Sequence, residues 1–331
     1  MKKRFFKKTF QVLSLFSILF CCFSCGSKKL KFEEVITNEE DGFTIVASND
    51  KPFTGTIIDN VGFYELVDEL PGKSDLCFLM EPYCDEYKKE SFIVNLQYKK
   101  GYRHGESTYS FKSTGKTAFV ETFKNGKRHG TFKLYGKNGK LMLEQDFKNG
   151  KPDGSHKCRF WDGSLIHDGK FDEGKKIGKW LDYFSYEYGV SNMPVQEEIF
   201  DKNGLPLSDT RYFFTEKKDK KQIPRSKTEW VYDKKNPQIY TETGYTVPVS
   251  MLGDIENSKL VISYHREYDK SEGKDKNQRG GLITDENYQN GKIYERHHYD
   301  EKGRDHGLFE RFNDNGDVTF SIKYEHGNVV K

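Results

Sequence analysis

The chain has 331 residues, of which 54 are basic and 51 acidic, so its formal net charge at neutral pH is only +3. This balance excludes the strongly basic character of most nucleic-acid-binding domains, and we expect no nucleic-acid partner. Beyond residue 25 only Cys77, Cys84 and Cys158 remain, and three cysteines are too few for a disulfide framework.

Residues 1–24 have the features of a lipoprotein signal peptide. MKKRFFKKTF carries five basic and no acidic residues, and VLSLFSILFCCF is an apolar run of 12, shorter than the roughly 20 residues that a membrane-spanning helix needs. The following CFSCG resembles a bacterial lipobox, although Cys22 stands where leucine is usual. The resemblance implies cleavage after Ser24 and a lipid on Cys25, which would place the protein in the bacterial cell envelope, at the outer membrane if there is one. The alternative is an ordinary signal peptide and a secreted product.

The roles of the segments between residue 25 and residue 97 are predicted from their composition and from the spacing of the repeats. Cleavage before Cys25 would leave 49 basic against 51 acidic residues, a nearly neutral mature protein. Residues 25–50 are interpreted as a tether. Residues 51–97, which begin KPFTGTIIDNVGFYEL, are interpreted as a divergent first repeat with an insertion. Cys77 and Cys84 lie within the insertion and could form a disulfide in an oxidising compartment.

A short motif, an aromatic residue followed three positions later by glycine, recurs along the chain. It begins at Tyr98, Phe123, Phe147, Phe171, Tyr288 and Tyr324, and the first four copies are 25, 24 and 24 residues apart. A second glycine turn lies halfway through each unit, and the segments between turns alternate in polarity. In TFKLY, for example, Phe132 and Leu134 fall on one face of a strand. Alternating runs bounded by Asn-Gly turns are typical of β-hairpins. The sequence therefore predicts an all-β fold, an elongated antiparallel meander of tandem hairpin repeats of about 24 residues.

The unit FKNGKRHGTFKLYGKNGKLMLEQD resembles the variant MORN repeat of bacterial exported proteins and of the YwqK antitoxin-like group. The resemblance covers residues 98–183 well and extends to residues 288–331. It supports tandem repeats over 98–200 and C-terminal repeats over 288–331. Between them, over 201–287, the 24-residue spacing is lost, which indicates an insertion or degenerate β repeats with charged loops.

Candidate metal ligands are explained by the repeat itself. His104, His129 and His306 occupy one slot, directly before a glycine, and Asp153 and Ile177 occupy the same slot in other units. A slot that accepts isoleucine is a turn position, so we expect no metal there. His297 and His298 are adjacent on a predicted strand and should point to opposite faces. No catalytic or phosphate-binding motif occurs, so we expect no cofactor, no catalytic residue and no enzymatic activity.

The class of function that remains is binding. With 20 tyrosines and 26 phenylalanines, one face of the sheet should be rich in rings, and partly exposed rings suit a protein or glycan partner. We expect a lipid-anchored binding or scaffold module for an envelope protein or polymer, attached to the membrane through its N-terminal lipid. Two alternatives stay open: an antitoxin or immunity protein, which rests on the resemblance, and an enzyme with its site within residues 200–287.

Overall fold

The structure is a computed structural model, and it describes residues 28–37, 44–62, 87, 89–183, 194–214, 224–247, 260–270 and 281–330. Cys25, Cys77 and Cys84, which carry the lipidation and disulfide predictions, lie outside the described residues.

The described residues form 24 strands and one short 3-10 helix. In chain order they are β1 Lys28–Leu30, the 3-10 helix Phe32–Glu34, β2 Val35–Thr37, β3 Thr44–Val46, β4 Gly55–Gly62, β5 Ser91–Lys99, β6 Tyr102–Arg103, β7 Gly105–Phe111, β8 Thr117–Lys124, β9 Lys127–Arg128, β10 Gly130–Tyr135, β11 Leu141–Lys148, β12 Lys151–Arg159, β13 Leu165–Asp172, β14 Lys175–Tyr183, β15 Pro194–Phe200, β16 Pro206–Phe214, β17 Pro224–Tyr232, β18 Ile239–Thr246, β19 Val261–Asp269, β20 Leu282–Gln289, β21 Lys292–His298, β22 Gly307–Phe312, β23 Val318–Glu325 and β24 Asn328–Val330.

Of these strands, 22 belong to one sheet, in which neighbours along the chain are neighbours in space. From β4 to β24 the pairing is antiparallel. The two-residue strands β6 and β9 directly precede β7 and β10 in the chain. The first strand differs: β1 pairs in parallel with β4, and Leu30 lies opposite Ile57. Strands β2 and β3 pair with each other in a separate two-stranded sheet. The predicted all-β antiparallel meander of successive hairpins is confirmed, and a sheet of so many strands is elongated across them.

In the regular repeats, every second turn, the one that carries the aromatic motif, is a two-residue turn with left-handed backbone at both positions. The φ angles are 51° and 79° at Asn125 and Gly126, and 53° and 87° at Asn149 and Gly150. These positive angles belong to the type I′ turn, which asparagine and glycine tolerate and whose twist matches that of the strands. The interval of 24 residues is therefore one hairpin plus the turn that leads to the next.

The sheet has one face, here called the aromatic face, that can be followed from β4 to β23 because directly paired residues point to the same side. Its central row consists of Ile57, Leu96, Tyr109, Phe119, Leu134, Leu143, Cys158, His167, Trp180, Glu198, Asp209, Trp230, Glu242, Arg266, Asp285, His297, Arg311 and Phe320. The opposite side is called the polar face.

From β1 to β12 the aromatic face is a continuous hydrophobic core. Along β5, Phe92 and Leu96 are fully buried, whereas the alternate residues are exposed. In β10, Phe132 and Leu134 are likewise buried and Thr131, Lys133 and Tyr135 are half-buried, as the pattern of TFKLY predicts. Burying one such side chain contributes about 1.5–3 kcal/mol, and among the described residues most of the buried apolar side chains belong to this core.

The N-terminal segment covers this core. The Phe53 ring packs 5.6 Å from that of Tyr98, and the Phe32 backbone N–H donates to the Asp59 carboxylate over 3.0 Å. Leu30 and Val46 are buried in the same cluster. The described part of residues 25–50, where a tether was expected, comprises residues 28–37 and 44–50 and contains β1, the 3-10 helix, β2 and β3. These residues are folded because their apolar side chains supply the second layer that the aromatic face lacks.

Beyond β12 the sheet continues without a comparable core among the described residues. Most side chains of β13 to β23 are half-buried on both faces. The region 201–287, where the 24-residue spacing is lost, contributes β16 to β20. EWVYD and QIYTETGYTV overlap β17 and β18, and VISYHREY lies in β19. In its described part this region therefore extends the same meander, as degenerate hairpins would.

Candidate functional site

Two of the three slot histidines, His104 and His306, connect consecutive hairpins. The backbone N–H of Asn125 donates to the Nδ1 atom of His104 over 3.4 Å, and the N–H of His326 donates to Nδ1 of His306 over the same distance. The bond thus recurs at two distant places in the repeat. In the described part of the chain, no group of three or more histidine, cysteine or carboxylate side chains is placed to hold a metal ion. That these histidines bind no metal stays a prediction.

The other candidates from the sequence are dispersed. His297 lies opposite Asp285 and His298 opposite Thr284, so the two rings point to opposite faces of the sheet, as expected. Cys158 is buried in β12 as part of the core. None of these residues converges with another candidate on a shared site.

A buried charged cluster on the aromatic face was not predicted from the sequence. Glu121 accepts hydrogen bonds from Arg103 over 3.0 Å, from Arg128 over 2.9 Å and from the Tyr109 hydroxyl over 2.6 Å. The Arg103 guanidinium also lies 3.8 Å from the centre of the Phe123 ring. A signal was present in the repeat, because both arginines stand five residues after a motif aromatic.

The electrostatics of this cluster indicate a structural role. Burial acts to raise the pKa of Glu121, but the charges of Arg103 and Arg128 and the bond from Tyr109 outweigh it, and the net shift is downward. The carboxylate therefore stays ionised between two cations. Glu121 and Arg103 are almost fully buried, so the cluster offers no ligand access and serves to fix the register of neighbouring hairpins.

Where the core ends, a group of rings occupies the aromatic face. Trp180 packs against Phe171 and His156, with ring centres 4.7 and 5.4 Å apart, and its Nε1–H donates to the Lys170 carbonyl over 3.0 Å. The indole lies directly on the backbone of Gly169, where an added Cβ would come within 2.2 Å of it. Burial, followed by the charges of nearby groups, lowers the pKa of His156 to about 4.

Farther along, the aromatic face carries half-buried rings interleaved with charges. Tyr240 stacks on Tyr268 with centres 4.8 Å apart, and the Arg211 guanidinium lies 5.1 Å from the centre of the Trp230 ring. Burial, and then the charge of Glu242, raise the pKa of Tyr268, so its hydroxyl stays protonated.

On the aromatic face beyond the core, acidic and basic side chains are mixed, and the carboxylates outnumber the basic groups. In β14 to β23 the acidic residues on the aromatic face are Asp182, Glu198, Asp209, Glu242, Asp285 and Glu295. The basic residues are Lys176, Arg211, Arg266 and Arg311. Glu198 and Asp209 are directly opposite each other on adjacent strands. Such a surface suits a ligand that brings apolar groups together with positive charge.

Strands β16 and β23 expose apolar side chains on the same face. Phe213 is 54% exposed and Phe320 is 43% exposed. The Arg311 guanidinium lies between the rings of Phe309 and Phe320, at 5.3 and 6.0 Å. The open part of the aromatic face, from β14 to β24, is therefore the candidate binding surface.

Comparisons with known proteins assign no family. No protein-family model matches the sequence, and no curated protein matches it. A solved structure described as "Crystal Structure of TcdB2-TccC3-TEV" is 12% identical and has a TM-score of 0.13. The match covers 72% of this chain and 15% of that much longer one, and similarity at this level supports no statement about fold or function.

Within the described ranges, no helix has both the length and the apolar composition required to cross a bilayer.

Proposed function

We propose that this protein is an exported binding module, attached to a membrane of the bacterial envelope by a lipid on Cys25. Its open aromatic face binds a polypeptide segment of another envelope protein. The MORN-like resemblance and the signal-peptide pattern support the envelope setting, and the surface from β14 to β24 supports the binding role.

The observation that carries the proposal is the contrast between the two halves of one face. From β4 to β10 the aromatic face accepts a polypeptide, since Phe32, Phe53 and Tyr87 pack on it from the N-terminal part of the chain. Beyond β12 the same face continues with rings of the same kind but only half-buried. A partner segment with apolar side chains would extend the cover that the protein itself begins.

The charge of the open aromatic face indicates which kind of segment it binds. The six carboxylates and four basic groups on the open half give it a negative balance, and buried faces of an interface favour complementary charge. The bound segment should therefore combine apolar residues with lysine or arginine. A toxin that presents such a segment would make the protein an immunity factor, which is a special case of this proposal.

Site-specific photocrosslinking in the producing cell tests it, because the two faces offer matched positions. Benzoylphenylalanine would replace Phe213 or Phe320 on the aromatic face, and Val231 or Leu308 on the polar face. Exposures match closely within each pair, at 54% and 53% for Phe213 and Val231, and 43% for both Phe320 and Leu308. We expect one defined protein adduct from Phe213 and Phe320 only. Equal adducts from both faces, an adduct with a second copy of this chain, or no adduct would each refute the proposal.

A further inference from the structure

The two-residue turns of the first three repeat hairpins all lie at the same end of the strands. On the polar face these turns carry a row of lysines, and this end of the strands is called one edge of that face. Lys124 lies directly opposite Lys127 across its turn, and Lys148 lies directly opposite Lys151. In the first hairpin, Lys99 lies opposite Tyr102. All five of these lysines are exposed.

These lysine pairs have no acidic partner. Among the described residues, none of Lys124, Lys127, Lys148 and Lys151 forms an ion pair. Like charges placed directly opposite each other in adjacent strands destabilise a sheet. The fold does not require the arrangement, because the equivalent positions of the next hairpin hold Asp172 and Lys175, an oppositely charged pair.

The row is held in place by the backbone. The N–H of Gly126 donates to the carbonyl of Arg103, and the N–H of Gly150 donates to the carbonyl of Arg128, each over 2.8 Å. Each turn is thus bonded to the hairpin before it. Successive turns on this edge are two strands apart, or about 10 Å, so the lysine pairs repeat at that spacing.

A cleft lies at the first turn of the row. It has a volume of about 500 Å³ and is lined by Lys99, Lys100, Tyr102, His104 and Asn125. Two ammonium groups, an aromatic ring and polar hydrogen-bonding groups suit an anionic sugar, since rings bind the apolar face of a sugar while lysines bind its charge.

We infer that this lysine row is a binding site for a linear anionic polysaccharide that lies across the strands, with one charged unit at each turn. A linear polymer fits because the row is narrow, regular and rigid, whereas a membrane would contact a broad plane. The row also lacks the series of stacking rings that bind single-stranded nucleic acid. The inference does not depend on the protein partner of the aromatic face, because the two surfaces lie on opposite sides of the sheet.

The test uses the full-length protein in detergent and fluorescent polyuronate oligosaccharides as the probe. We expect saturable binding that weakens as salt is raised, and no binding of neutral dextran. Replacing both Lys124 and Lys148 by glutamate should weaken binding by about ten-fold or more. The matched control, glutamate at Lys112 and Lys116 on the opposite edge of the sheet, should change it by less than about two-fold.

Thermal melting separates ligand binding from a structural role. Lys124→Glu turns a repulsive cross-strand pair into an attractive one, so it should leave the melting temperature unchanged or raise it while lowering affinity. A drop in melting temperature would show that the lysines serve the fold. Failure of the wild type to bind polyuronate, equal loss in the control, or equally tight binding to single-stranded DNA or to phosphatidylglycerol vesicles would also overturn the inference.

Discussion

The N–H of Gly126 donates a hydrogen bond of 2.8 Å to the carbonyl oxygen of Arg103, which joins each turn to the hairpin that precedes it. The pair Gly150 and Arg128 repeats this contact one unit later. The structural unit is therefore a hairpin together with its bond to the hairpin before it, and its length is the sequence interval.

Removing one whole interval should leave a folded protein. Deletion of residues 123–146 brings Phe147 into the place of Phe123 and Glu121 into that of Gln145, so every later strand keeps its direction and its buried face. We expect a cooperative thermal melt by circular dichroism, at a lower temperature because one inter-hairpin interface is lost and because Glu121 loses its ion pair with Arg128 while keeping that with Arg103.

Deletion of residues 123–135 provides the contrast. It removes a single strand with its turn and reverses all later strands, which mispairs their apolar faces. This variant should show no cooperative melt. Two equally cooperative melts, or two unfolded products, would show that the interval is not the unit.

The buried cluster should be among the most sensitive points of the fold. Glu121→Ala leaves Arg103 and Arg128 buried without their shared carboxylate, and we expect the free energy of unfolding to fall by about 3–5 kcal/mol. Glu144 provides the control, because it is partly exposed and its ion pairs with Lys133 and Arg159 are long, at 4.0 and 3.7 Å. Glu144→Ala should cost less than about 1 kcal/mol in urea denaturation.

The same cluster predicts an acid dependence. Since the pKa of Glu121 is lower in the folded than in the unfolded protein, its contribution to stability is present above the unfolded value, near 4.3, and is lost as pH falls through the folded value. Between pH 5 and pH 3, wild type should therefore lose more stability than Glu121→Gln, as measured by urea midpoints. If the urea midpoints of wild type and Glu121→Gln fell in parallel with pH, the lowered pKa of Glu121 would be contradicted.

His156 predicts a second pH effect, in a different range. Its folded pKa of about 4 lies below the usual 6.5, so the unfolded chain takes up a proton first as pH falls. Stability from this residue is present above pH 6.5 and is lost between 6.5 and 4, by about 1–2 kcal/mol at pH 5. His156→Gln should remove this part of the pH dependence, and NMR titration of the ring should give the low value directly. A pKa of about 6.5 for the His156 ring would exclude this effect of pH on stability.

Lipidation of Cys25 is predicted from CFSCG alone. Cys25→Ala should move the protein from the membrane pellet to the soluble fraction and abolish labelling by an alkyne fatty acid. Cys22→Ala is the control and should leave both unchanged. Labelling that persists in Cys25→Ala would disprove the site.

The sequence by itself determined the repeat unit. The Asn-Gly turns and the alternation of TFKLY are local features, since a turn's φ angles and a strand's period of two depend on neighbouring residues. They were enough to predict hairpins, their order and the buried positions of Phe132 and Leu134.

Only the tertiary structure decided what lies on the sheet. The packing of Phe53 on Tyr98, the meeting of Arg103, Glu121 and Arg128, and the end of the core after β12 all depend on contacts between residues distant in sequence. A period of two specifies which residues share a face, but whether that face is covered depends on whether another segment supplies apolar area to it. In the first half the N-terminal segment does so. In the second half the described residues leave the rings half-buried.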